Sequence, residues 1–322
     1  MVPGQQAQAL LEHVTVDAGG GHQVDAQILL LTGHGGFGIG RAPLRLHRIR
    51  VRLALERAPD TADPGRFLRS VPAWGALTGL MLWAEGAALL ASRWSPATVA
   101  LVHVFTLGLL GNAMFGSLLQ FLPAAAGVRI AGGAPLAITL HGLLNAGALA
   151  LVAGLWWSQA GLRGVGGVLL ASAFVLLAAA ALPGLLRRAA GSLLHAGIAL
   201  SLLGGLATAA LGLALVAAMA GRLVLDLPRW TDAHAAVGLL AWVGVLVASV
   251  GRVVMPMFQG AMPAPAKAQA VLLATVAIGL PGMAIVAGSS WLAAFAAALA
   301  AVFALGGLWL QSRSRKSLQA AL

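Results

Sequence analysis

The sequence predicts an all-α fold: a polytopic bundle of about eight transmembrane helices, preceded by a poorly ordered basic N-terminal segment. Of the 322 residues, 60% are hydrophobic and only 9% are charged, whereas soluble domains carry roughly 25% charged residues. From Val71 onward, apolar stretches recur at lengths near the ~20 residues that a bilayer requires. Basic residues crowd before the first stretch and follow the last one, as is typical of chains that cross a membrane.

Residues 1–66 differ in composition from the rest of the chain and are predicted to form a cytoplasmic, disordered segment. They hold six of the nine acidic residues, a glycine-rich stretch and a dense run of arginines between Arg41 and Arg66. Such a composition buries too little apolar surface to offset the entropy lost on ordering. Residues 67–322 are predicted to form the transmembrane domain.

Eight spans account for the transmembrane domain, separated by arginines, prolines and glycines that interrupt the apolar runs. They cover residues 71–92, 96–122, 135–158, 164–186, 190–220, 231–257, 268–288 and 291–311. Alanine and glycine fill many of these spans, and small residues let membrane helices approach closely. We therefore expect a tightly packed bundle.

The net charge of +11 is explained by the membrane rather than by nucleic acid. The basic residues concentrate at 41–69 and 313–316, on the flanks of the spans, where such residues favour the cytoplasmic side and anionic headgroups. Both termini are therefore predicted to be cytoplasmic, and the lipid bilayer is the expected partner.

Cysteine and tyrosine are both absent from the chain. Without cysteine, the chain has no disulfides, iron–sulfur clusters, thiolate-ligated haem or covalently attached c-type haem. Any redox cofactor must therefore be held by histidine, methionine or a carboxylate.

Four histidines beyond residue 70 each lie alone in a different predicted span: His103, His141, His195 and His234. An imidazole in hydrocarbon costs free energy unless something binds it, so intramembrane ionisable residues indicate functional sites. Counting from the predicted outer surface places His103 about seven residues deep, or ~10 Å, and His234 about three residues deep, or ~5 Å. His141 and His195 lie about six and five residues from the inner surface.

Histidines at matched depth on different helices can ligate a haem iron from both sides. The sequence therefore predicts an outer site formed by His103 and His234 and an inner site formed by His141 and His195. Each site would hold a haem b or a bare metal ion. This gives up to two haems in the chain, with copper as the alternative. Interhelical hydrogen bonding is the competing interpretation of each histidine.

Two charged residues are further candidates for the site. Arg252 follows His234 by eighteen residues, or five whole turns, so both lie on one face of the sixth span. There it would bind the propionates of an inner haem or anchor the helix at the inner surface. Glu85 is interpreted as the only carboxylate inside a span, where it could relay protons, orient a histidine or ligate a metal.

The stretch His103–Pro123, which begins His-Val-Phe-Thr-Leu-Gly, resembles the second span of haem–copper oxidase subunit I relatives. It is most similar to NnrS-type haem–copper membrane proteins. Single histidines at the starts of later spans, His195 and His234, fit this resemblance, which covers roughly residues 96–260. The resemblance implies a bacterial inner-membrane haem protein associated with nitric oxide stress, beside a redox partner or another membrane subunit.

The chain also departs from oxidase subunit I, which has more spans, an adjacent His–His pair for copper and a tyrosine at its reaction centre. This chain has no His–His pair and no tyrosine, so oxygen reduction by the usual oxidase chemistry is not expected. The expected function is electron transfer, or nitric oxide binding and detoxification, through histidine-ligated haem. Two alternatives stay open: a proton-coupled transporter with Glu85, His103 and Arg252 along its pathway, and a structural membrane subunit without cofactor.

Overall fold

A computed structural model describes residues 24–30, 47–53, 58–259 and 263–282, with scattered helical residues between 294 and 312. Within the segment predicted to be disordered, Val24–Leu30 (β1) and His47–Leu53 (β2) pair as antiparallel strands. The first helix begins at Ala62, ahead of the predicted boundary at residue 67. Most other residues of the segment 1–66 lie outside the part of the chain that the structure describes, so their disorder stays a prediction.

The described part of the transmembrane domain consists of helices joined by short turns, which confirms the predicted all-α bundle. The α-helices are α1 (Ala62–Glu85), α2 (Pro96–His103), α3 (Asn112–Ala124), α4 (Gly133–Trp156), α5 (Ala160–Ala189), α6 (Leu193–Met219), α7 (Leu227–Ala236), α8 (Val245–Gln259) and α9 (Ala266–Ala274). Three π-helical segments continue the helices that precede them: π1 (Val104–Gly111), π2 (Val237–Gly244) and π3 (Thr275–Gly279).

Five helices of the described chain are long and apolar enough to cross a membrane, and they coincide with the second to sixth predicted spans. They are Pro96–Ala124, Gly133–Trp156, Ala160–Ala189, Leu193–Met219 and Leu227–Phe258. The first predicted span corresponds to α1, and the seventh to a shorter apolar helix, Ala266–Gly282. The eighth, 291–311, lies largely outside the described residues. The chain is thus a helical membrane protein, with fewer clear spans in its described part than expected.

Neighbouring helices approach closely because glycines face the contacts. α4 and α5 meet where a Cβ added to Gly166 would lie 2.4 Å from the backbone nitrogen of Leu151. α6 meets π2 where a Cβ added to Gly204 would lie 2.7 Å from the carbonyl carbon of Ala241. Separations this short leave no room for a larger residue, so these glycines set the spacing between the helices.

Aromatic side chains from four elements form the centre of the bundle. Phe115 of α3 meets Phe174 of α5 edge-to-face, with ring centroids 5.3 Å apart, and Trp242 of π2 lies 5.4 Å from Phe174. Phe67 of α1 completes the cluster at 6.2 Å from Phe115. Aromatic pairs of this kind contribute about 0.5–1.5 kcal/mol each beyond the area they bury. The cluster therefore fixes α1, α3, α5 and π2 relative to one another.

Exposed tryptophans mark one end of the bundle. Trp83 near the end of α1, Trp94 just before α2 and Trp157 just after α4 are 83%, 47% and 65% exposed. The three lie at the same end, because α1 ends, α2 begins and α4 ends there. Tryptophan is enriched at membrane–water interfaces, so we interpret this tryptophan end as lying at one membrane surface.

Candidate functional site

The helices that carry His103 and His234 begin in the same way at the tryptophan end. Ser95 caps α2 and Asp226 caps α7, each accepting a hydrogen bond from the backbone N–H three residues further on. A proline lies in the first turn of both helices, where its missing N–H costs nothing. Each histidine follows its cap by eight residues, so both lie about 12 Å along their helices. The predicted depth of His234 was counted from residue 231, whereas α7 begins at Leu227.

Both histidines are followed closely by a π-helical segment. π1 begins at Val104, the residue after His103, and π2 begins at Val237, three residues after His234. Each segment is eight residues long. π-helical turns are rare and are frequently found at functional sites. The same irregularity after both histidines therefore indicates a function for this pair.

His103 and His234, the predicted outer pair, are brought together by the fold. Their ring centroids lie 6.2 Å apart and their planes are inclined by 22°. Two imidazoles bonded through Nε2 to opposite sides of one metal, at about 2 Å each, have ring centres roughly 6 Å apart. The centroid separation of 6.2 Å is therefore compatible with one metal shared by both rings.

Hydrogen bonds fix both rings in the same tautomer. Nδ1–H of His103 donates to the carbonyl of Val99 over 2.7 Å, and Nδ1–H of His234 donates to the carbonyl of Thr208 over 3.1 Å. A carbonyl only accepts, so each neutral ring has its proton on Nδ1 and its lone pair on Nε2. Metal-binding histidines are commonly oriented by such a bond from the second ring nitrogen.

Helix α6 makes room for His234. Thr208 of α6 supplies the accepting carbonyl. One turn further along α6, a Cβ added to Gly212 would lie 3.2 Å from Cε1 of His234. Glycine at this position therefore lets the imidazole lie directly against α6, within reach of the carbonyl.

An ion pair joins the two histidine-bearing segments at the tryptophan end. Arg93, in the turn before α2, binds Asp232 of α7, with Nη1 2.6 Å from Oδ1 and Nη2 3.4 Å from Oδ2. Asp232 is only 8% exposed, so the interpretation of Glu85 as the only carboxylate inside a span is wrong. We did not predict this pair from the sequence, although a carboxylate two residues before His234 was a usable signal.

His141 and His195, the predicted inner pair, have separate partners. Nε2 of His141 lies 2.9 Å from Oγ of Ser70 on α1, and its ring packs edge-on against Phe67 with centroids 5.1 Å apart. Nε2–H of His195 donates to the carbonyl of Ala126, just beyond α3, over 2.8 Å. These are interhelical contacts of the kind that the competing interpretation expects. The described contacts bring neither ring to the other.

Glu85 and Arg252 are not joined to the histidine pair within the described residues. Glu85 is exposed at the last residue of α1. Arg252 is half-buried, and its Nε–H donates to the carbonyl of Ala264 over 3.0 Å. Arg252 also lies eighteen residues beyond His234 on the same span, or about 27 Å away along the helix. The contacts that the structure describes therefore do not connect Glu85, His103 and Arg252 into a pathway.

A network of hydrogen bonds through the side chains of Asn112 and Asn145 joins four elements. The indole N–H of Trp74 on α1 donates to Oδ1 of Asn145 on α4 over 2.7 Å. Asn145 donates to Oδ1 of Asn112 over 3.0 Å, and Asn112 donates to the carbonyl of Gly108 in π1 over 2.7 Å. Asn112 is completely buried. The network therefore satisfies its own polar groups and holds π1 against α1 and α4.

Replacing Asn112 with leucine is expected to destabilise the bundle by about 1 kcal/mol, since interhelical hydrogen bonds in membranes are worth that order. The variant would leave an amide of Asn145 without its partner. Unfolding by denaturing detergent, followed by circular dichroism, measures the effect. Thr139→Val is the control, because Thr139 is exposed and bonds only within α4. Equal stability of the Asn112 and Thr139 variants would contradict the assigned role of the network.

The histidine pair offers two candidate ligands. In the part of the chain that the structure describes, no three histidine, cysteine, aspartate or glutamate side chains come together to hold a metal ion. A haem iron takes one or two axial ligands from protein, so a pair of histidines is sufficient for it. None of the family models, curated proteins or solved structures compared with the chain matches it. Fold and site thus define a helical membrane protein with an intramembrane histidine pair.

Proposed function

We propose that this chain is a membrane cytochrome in which His103 and His234 bind one haem b axially, and that it transfers electrons. The observation that carries the proposal is the 6.2 Å separation of the two rings. Support comes from the hydrogen bonds of both Nδ1 atoms to backbone carbonyls, which leave Nε2 of each ring as the ligating atom.

Haem fits this set of donors better than a bare metal ion. A haem iron receives four nitrogens from its own macrocycle and takes its axial ligands from the protein. A structural zinc site, by comparison, takes all four of its ligands from side chains. The two histidines alone would leave such an ion under-coordinated among the described residues.

Electron transfer is favoured over nitric oxide detoxification because His103 and His234 would both bind the iron and would leave it no open position for nitric oxide. Haem, when bound, supplies one-electron redox chemistry. The protein would ligate the haem and enclose it between helices. The carbonyls of Val99 and Thr208 would orient the two imidazole rings. The separate partners of His141 and His195 favour one haem rather than two.

The charge distribution supports a location with the tryptophan end facing outward. The end opposite to it carries several exposed basic residues: Arg69, Arg129, Arg187, Arg188 and Lys267. Basic residues concentrate on the cytoplasmic side of membrane proteins. We therefore include in the proposal cytoplasmic termini, a bacterial-type inner membrane as the resemblance to NnrS-type proteins implies, and a redox partner in addition to the lipid bilayer.

The haem content of the purified protein tests this proposal. After expression with ample haem, a pyridine haemochrome assay is expected to give about one haem b per chain, since the pair supplies both axial ligands of one iron. Metal analysis of the same sample should give iron in the same ratio and no copper. Intact, folded protein that contains no haem would contradict the proposal.

A further inference from the structure

The rings of His103 and His234 are oriented by different parts of the protein. His103 donates to Val99, which lies one turn earlier on its own helix, so α2 alone orients that ring. His234 donates to Thr208 on α6, so its orientation depends on how α7 is held against α6. The bond of His234 is also the longer one, at 3.1 Å against 2.7 Å. His234 is therefore the ligand whose position requires support from the tertiary structure.

The ion pair between Arg93 and Asp232 supplies such a support. Asp232 lies two residues before His234 on α7, near the start of the long helix Leu227–Phe258, and its buried carboxylate requires a cation. Arg93 provides that cation from the turn before α2 and lies over the ring of Trp94, with its guanidinium carbon 4.3 Å from the ring centroid. In the described residues, the pair links the segments of both histidines directly.

We infer that Arg93 and Asp232 are positioning residues that hold His234 at the haem iron. The inference rests on the proposed function and assigns the ion pair a role in it. With the pair intact, α7 keeps the ring of His234 beside Thr208 and opposite His103. Without the pair, the first turns of this long helix would no longer be linked to the turn before α2, and the place of His234 at the iron would become accessible to an added ligand.

Haem titration of the purified full chain tests the inference, with carbon monoxide as the probe of an open axial position. Arg93→Gln is expected to weaken haem binding by about 10- to 100-fold, the usual effect of losing an outer-shell partner of a metal ligand. The reduced variant should bind carbon monoxide, whereas the unchanged protein should not. Arg222→Gln is the matched control, because Arg222 is an exposed arginine at the same end.

Exchanging the two charged residues of the ion pair distinguishes a positioning role from a general loss of stability. In the Arg93→Asp/Asp232→Arg variant the pair is restored in reverse, and haem affinity should return towards that of the unchanged protein. Hydrogen exchange of α7 in the haem-free protein should rise in Arg93→Gln and fall again in the exchanged variant. Haem affinity and carbon monoxide binding of Arg93→Gln that equal those of Arg222→Gln would overturn the inference.

Haem uptake by the unchanged protein tests the proposed function, whereas the behaviour of the variants tests the inference alone. If the unchanged chain takes up no haem, the proposed function fails and the inference fails with it. If the unchanged chain takes up haem and the Arg93 variant behaves like the control, only the inference fails.

Discussion

Replacing either His103 or His234 with alanine is expected to remove the haem from this protein. Each ring would supply one of the two bonds between protein and iron, so either variant would lose half of the protein's ligands. The loss should exceed the ~10–100-fold that an outer-shell substitution costs. The haem content of purified variants, read from the Soret absorbance per chain, measures the effect.

His141→Ala and His195→Ala are the matched controls, because they remove histidines of the same membrane domain that have other partners. His141 bonds to Ser70 and His195 to the carbonyl of Ala126, so both variants should keep nearly all of the haem. Loss of haem from either control that equals the loss from His103→Ala would contradict the assignment to the outer pair.

Replacing Gly166 with alanine is expected to destabilise the bundle by about 1–3 kcal/mol, the usual cost of overpacking a close contact. The added Cβ would lie 2.4 Å from the backbone nitrogen of Leu151. Backbone cannot move aside as the end of a flexible side chain can, so α4 and α5 would have to separate. Detergent-induced unfolding followed by circular dichroism gives the free energy difference.

Gly164→Ala provides the control on the same helix. A Cβ at Gly164 would meet no atom within 4 Å, and alanine favours a helix over glycine by about 1 kcal/mol. This variant should therefore be as stable as the unchanged protein or slightly more stable. If both variants lost stability equally, the close contact between α4 and α5 would not be the cause.

The membrane spans could be predicted from the sequence because the bilayer imposes a simple rule on length and polarity. A stretch of about 20 apolar residues satisfies that rule whatever its neighbours are, and the second to sixth predicted spans correspond to helices. The start of α1 was harder to predict because its first turns carry charged residues. Asp63 and Arg66 lie inside the helix, whereas the prediction placed them before it.

The predicted depths in the membrane paired His103 with His234, and the structure brings these two rings together. Depth alone, however, does not determine which helices are neighbours. The same reasoning paired His141 with His195, whereas His141 meets α1 and His195 meets the turn after α3. Which helices adjoin depends on packing between glycines and large side chains across the bundle. That information is spread over many positions and has no local pattern.

Local irregularities were also beyond what periodicity can predict. The π-helical segments after His103 and His234 are themselves apolar runs whose sequence is equally typical of an ordinary α-helix. By contrast, the strand β2 had a usable signal, because arginines alternate with Ile49, Val51 and Leu53, and a period of two is typical of strands. The density of arginines led us to interpret that stretch as a membrane flank.

The most direct test of the histidine pair is low-temperature electron paramagnetic resonance of the ferric, haem-loaded protein. The spectrum reports the spin state and the axial ligands of the iron in the unchanged chain. We predict a low-spin signal with two imidazole ligands, because the ring centroids of His103 and His234 lie 6.2 Å apart and the lone pair of each ring is on Nε2. A predominantly high-spin ferric signal, or a low-spin signal that persists when both histidines are replaced by alanine, would contradict axial ligation by this pair.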